Sequence, residues 1–167
     1  MASFDLAIGA VLAHEGGLVD DPADPGGLTN FGVSLRSYPE LGREGVAAMT
    51  REQAEGIYRR DFWDPLRLGE VADQRVAGKV LDMAVNMGRR AAARLLQRAL
   101  NYVLPRQPLT VDGIVGPATI AEVNKTDPET LLWALRAYHA THYVSLVEGP
   151  DKRFDKFSVG WLRRSFS

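Results

Sequence analysis

The residues best equipped to do chemistry lie between positions 14 and 34, in HEGGLVDDPADPGGLTNFGVS. One carboxylate, Glu15, stands where an apolar helical stretch runs into Gly16-Gly17, and the segment behind it holds Asp20, Asp21, Asp24, Thr29 and Asn30. Glutamate and aspartate can donate and accept protons, a threonine hydroxyl can hold a water, and glycines let backbone approach a ligand closely. The same mixture of Asp, Asn, Gly and Pro also builds ordinary turns. Composition alone therefore leaves catalysis and a plain loop both open.

Such a segment needs a scaffold, and its flanks read as helices. Phe4, Ala7, Ile8, Val11 and Leu12 recur at helical spacing up to the glycine pair, where a helix can close. From Leu18 to Ser34 that period is lost and a structured loop or short hairpin is expected. Thr50 and Gln53 have capping-box spacing ahead of a helix carrying Ala54, Ile57, Tyr58 and Phe62. Val76, Val80, Met83, Ala84 and Met87 predict another, stopped at Gly88 and followed by one through Ala92, Leu95, Leu96, Ala99 and Leu100. A turn at Asp112-Gly113 precedes a short helix from Pro117, and Asp127-Pro128-Glu129 opens what should be the longest helix, through Leu131, Leu135, Tyr138 and Leu146. Phe154, Phe157 and Trp161 stripe a final short one. The pattern is all-helical around one irregular loop.

With 167 residues and 46% hydrophobic content, the chain can bury one sizeable core. A net charge of −1 argues against an electrostatic grip on nucleic acid. The chain has no cysteine, which excludes disulfides and thiolate chemistry. No window approaches the apolar length of a membrane span, so no stable membrane insertion is expected. The amino terminus lacks the basic region and cleavage site of a secretory signal and reads as a core helix.

The order of residues says more than their types. Glu15-Gly16-Gly17, Asp24-Pro25-Gly26-Gly27-Leu28-Thr29 and Phe31-Gly32-Val33 stand in the order of the signature of glycoside hydrolase family 108, the bacterial and phage N-acetylmuramidases, which this segment resembles. YRRDFWDP around Trp63, LDMAVNMG through Asp82 and Asn86, and the closing FDKFSVGWLRR extend the likeness over nearly the whole chain. LLQRALN followed by VDGIVGPATIAEV is similar to peptidoglycan-binding modules. The resemblance implies a mainly α, lysozyme-like helical domain with one irregular loop or short hairpin after the first helix. It also implies a muramidase region over residues 1–90 and a peptidoglycan-binding helical region over 91–167, packed into one compact unit.

What the resemblance implies for chemistry is cleavage of the glycan between N-acetylmuramic acid and N-acetylglucosamine, with Glu15 as general acid. In phage-type lysozymes a glutamate at a helix end is likewise followed by an aspartate in a hairpin and then a threonine. Asp24 and Thr29 fill those places here, with Asp20 and Asp21 as rivals to Asp24. An alkoxide leaves poorly, so the acid must hold its proton near neutral pH, and burial would have to raise its pKa. Asp24 and Thr29 are expected to position a water, giving inversion.

Asn30, Tyr58, Trp63, Asp82 and Asn86 are candidate sugar-binding residues, since a glycan groove needs flat apolar faces and amide donors. A core position is the alternative for Trp63, and more so for Trp133 and Trp161. His139 and His142 lack a third ligand at telling spacing, so no metal is expected, nor any cofactor. The pairs Arg89-Arg90 and Arg163-Arg164 read as solvated faces. The expected partner is peptidoglycan, met by a monomer made in the cytoplasm that reaches the periplasm or wall through a holin or export machinery. Two rivals stay open: a non-catalytic peptidoglycan-binding or secretion-assisting protein, and a lytic transglycosylase needing a single glutamate.

Overall fold

Every helix anticipated from spacing forms. The computed structural model describes residues 1–15, 17–20, 27–106, 108–148 and 158–166. It contains α1 (Phe4–Glu15), α2 (Gly42–Ala47), α3 (Arg51–Tyr58), α4 (Gln74–Met87), α5 (Arg89–Val103), α6 (Pro117–Lys125), α7 (Pro128–Glu148) and α8 (Ser158–Phe166). Only α2 was not signalled by the sequence. The capping box at α3 is closed, with Gln53 N donating to Thr50 Oγ1 at 3.3 Å and Thr50 N to Gln53 Oε1 at 2.8 Å. Asp73 caps α4 by accepting from the amides of Arg75 and Val76, and Asp127 caps α7 by accepting from Thr130 N at 2.8 Å. Gly88, at φ 85°, makes the sharp joint between α4 and α5 that a side chain would resist.

Helix α4 is the axis of the fold, packing against α1, α5 and α7. Ile8, Leu81, Met83, Leu96, Leu100, Leu131 and Leu135 from these four helices are fully buried, each side chain stabilising the core by about 1.5–3 kcal/mol. The first helix starts beside the start of α4. Ser3 N donates to Gln74 Oε1 at 2.7 Å and Gln74 Nε2 returns a bond to Ser3 O at 3.0 Å, tying the two starts together. Further along, Ala7 and Val11 share a cavity wall with Gly78 and Asp82. Glu15 on α1 and Asn86 on α4 each lie twelve residues beyond that tie, about 18 Å along their own helices at a rise of ~1.5 Å per residue.

The break after α1 becomes a small antiparallel sheet. Thr29–Asn30 (β1) pairs with Val33–Ser34 (β2), and Val19 bridges Thr29 on the other side. Phe31 and Gly32 form the two-residue loop with φ 50° and 76°, the left-handed pair that a tight hairpin turn requires. Gly149-Pro150 and Phe154 and Phe157, expected to end α7 and to line the last helix, lie outside the described residues.

Candidate active site

The segment expected to be catalytic starts at the end of α1 and leads to the hairpin. The backbone of Glu15 is the last residue of α1; its side chain, that of His14, and Gly16, Asp21 and Asp24 as a whole lie outside the described residues. Val19 and Thr29 exchange two backbone hydrogen bonds of 2.8 Å, and Leu35 N donates to Leu28 O at 2.9 Å, so the chain on either side of the aspartate loop is held in register. Thr29 is half-buried, and its hydroxyl donates to Gly27 O at 3.3 Å. Asp20, one of the rivals to Asp24, is exposed and paired with Arg43.

Two of the candidate sugar-binding residues, Asn30 and Tyr58, brace this hairpin, and a third, Trp63, lies in the core. Asn30 is buried, and its Nδ2 sits 3.2, 3.3 and 3.4 Å from the carbonyls of Val46, Ala47 and Met49, satisfying acceptors at the end of α2. Tyr58 is buried and its hydroxyl donates to Phe31 O at 3.0 Å, pinning the left-handed Phe31. Trp63 is only 4% exposed and meets Phe4 edge-on at 5.5 Å, so its ring belongs to the core and offers no face to a groove. A π turn, Arg59–Trp63, continues α3 and sets these two aromatics at their angles.

Asp82 and Asn86 sit one turn apart on α4 yet do different things. Asn86 is exposed, with Nδ2 donating back to Asp82 O at 3.1 Å. The Asp82 carboxylate is instead engaged from α8, where Arg164 Nε donates to it at 2.8 Å. Arg164 is thus not on the solvated face expected of the Arg163-Arg164 pair. His139 is fully buried with neither ring nitrogen hydrogen-bonded, and burial pushes its pKa down to about 3. Among the described residues, no three His, Asp or Glu side chains gather as metal ligands.

Other features near the site escaped sequence reasoning. Tyr38 donates to Asp61 at 3.0 Å while Arg60 grips the same carboxylate at 2.8 and 2.6 Å. Burial and that bond push the Tyr38 phenol up to about 12, and Arg60 holds Asp61 below the usual carboxylate range. Trp133, expected in the core, is 63% exposed on α7. Its place opposite Leu131, Leu132 and Leu135 in the helical period was the available signal.

A helix ending in a glutamate, a small antiparallel hairpin behind it and a helical body define a mainly α, lysozyme-like fold. Residues 8–88 match the family model Glycosyl hydrolase 108, and residues 91–166 match that of a Predicted Peptidoglycan domain. Residues 8–88 thus form a glycosyl hydrolase 108 region, and a predicted peptidoglycan domain follows it over residues 91–166. Among solved structures it is similar to "Structure of Brucella abortus SagA", at 28% identity and a TM-score of 0.79, over 97% of this chain and 88% of that one. No curated protein matches the sequence. Family and domain together make it a glycoside hydrolase acting on peptidoglycan. No helix among the described residues is long and apolar enough to cross a membrane.

Proposed function

We propose that the protein is an N-acetylmuramidase that hydrolyses the bond between N-acetylmuramic acid and N-acetylglucosamine, with Glu15 as general acid. The observation that carries this reading is the position of Glu15 as the last residue of α1, with the β1–β2 hairpin following it in the chain. There a carboxylic acid can protonate the leaving oxygen as the glycosidic bond breaks. Asp24 and Thr29 hold the attacking water on the opposite face of the sugar, and Asn86 supplies an amide to the glycan. The hydroxyl of Thr29, which donates to Gly27, keeps its lone pairs for a water. The enzyme acts as a monomer on the wall side of the membrane, where its polymer lies.

Mass spectrometry of fragments released from purified peptidoglycan tests the bond and the acceptor. Muropeptides with reducing N-acetylmuramic acid ends support hydrolysis. Anhydro ends would replace it with lytic transglycosylation, and NMR showing retained anomeric configuration would remove the water-positioning role of Asp24 and Thr29.

A further inference from the structure

The seam between the hydrolase region and the predicted peptidoglycan domain holds a half-open cavity of about 360 Å³ between α1, α4 and α7. Ala7, Val11 and Leu132 give it apolar walls, and a Cβ added at Gly78 would meet nothing within 4 Å. Charged side chains share the same space, and most are already matched. Arg75 is paired with Asp73 at 3.0 Å and with Glu129, and Asp82 with Arg164 at 2.8 Å. Lys79 is buried, donates to Arg164 O at 2.9 Å and stands 3.8 Å from Asp82 Oδ2.

Arg136 is different. Among the described residues it has no ion-pair partner, and its Nε is buried without a hydrogen bond. The cavity lining thus carries three cations, Arg75, Lys79 and Arg136, against one carboxylate, Asp82, an excess of positive charge in a partly desolvated space. A buried donor without a partner, as Arg136 Nε is, is costly, and an anion is a group that would satisfy it. Beside them, the exposed Trp133 ring lies 5.7 Å from the Arg136 guanidinium, an aromatic face next to a cation at the rim.

We propose that this cavity is a subsite for a carboxylate of the peptidoglycan stem peptide, received by Arg136 with Lys79 and flanked by Trp133. The guanidinium matches a carboxylate with two parallel hydrogen bonds, and the apolar walls suit the short aliphatic side chains of such a peptide. The cavity reaches Val11 on α1, and the Glu15 backbone lies about 6 Å further along that helix at a rise of ~1.5 Å per residue. A glycan strand in the site would therefore carry its peptide toward the seam. The ligand is taken from the peptidoglycan assignment, but the subsite does not depend on which glycan bond is cut.

The test is calorimetric titration of the full chain with muramyl dipeptide, a single-sugar probe with no glycosidic bond to cleave, and with its carboxyl-amidated form. The acid form should bind about tenfold more tightly than the amide, Arg136→Gln should remove that difference, and Arg136→Lys should restore part of it. Melting curves confirm that each variant folds. Equal binding of the two forms, unchanged binding in Arg136→Gln, or acetate or phosphate binding as tightly as the muramyl peptide would overturn the assignment. Absence of glycan cleavage by the native protein would overturn the muramidase reading and leave this titration unaffected.

Discussion

The hairpin behind α1 and the seam where α4, α7 and α8 meet both bury polar side chains, in opposite ways. At the hairpin Asn30 and Tyr58 each find backbone carbonyls, and their hydrogen bonds fix a strained turn beside the proposed catalytic glutamate. At the seam, Asp82 Oδ2, Arg136 Nε, both nitrogens of His139 and the Tyr143 hydroxyl are buried without hydrogen-bond partners. Satisfied groups make a rigid frame, whereas unsatisfied ones leave a region whose stability depends on protonation and on what binds there.

The largest separation between the two regions should appear on acidification. Unfolded, His139 takes up a proton near its ordinary pKa of about 6.5; folded, burial delays this to about 3. The unfolded state therefore binds more protons between these values, and stability that is full above about 6.5 falls as pH drops toward 3, by an amount on the order of a few kcal/mol. Denaturant melts from pH 7 to 4 should show this slope, and His139→Phe, which keeps a ring against Tyr143 at a 4.6 Å centroid spacing, should flatten it. A slope that survives in the variant would place the sensitivity elsewhere.

Next in size is Asn30→Ala, which strips the carbonyls of Val46, Ala47 and Met49 of their shared donor and should cost about 2 kcal/mol, read as a lowered denaturant midpoint. Glycan cleavage should fall with it if the hairpin positions the catalytic loop. At the seam, Asp82→Asn removes the one carboxylate between Lys79 and Arg164 and should cost roughly 1–3 kcal/mol, in line with a role in docking α8. A loss of activity without loss of stability would return Asp82 to the substrate. Smallest is Tyr58→Phe, expected to cost about 1 kcal/mol and to loosen the Phe31 turn.

How much of this was legible in the sequence follows from the range of each interaction. The Thr50–Gln53 box, the Asp127 cap and the Gly88 stop are local chemistry and were readable. The roles of Asn30, Tyr58 and Trp63 depend on partners 16 to 59 residues away, so residue type suggested a sugar groove where packing made a core. Asp82 could be placed on one face with Asn86 by helical spacing, but its engagement by Arg164, 82 residues on, could not. Trp133 went the other way, since its type suggested burial while its position in the helical period pointed outward.

The central claim is tested most directly by incubating the native protein and Glu15→Gln, at matched melting behaviour, with purified peptidoglycan and measuring the rate of reducing-end release. Loss of the general acid should lower that rate by about 10³-fold. Cleavage by Glu15→Gln at the native rate would contradict the assignment of Glu15 as the acid.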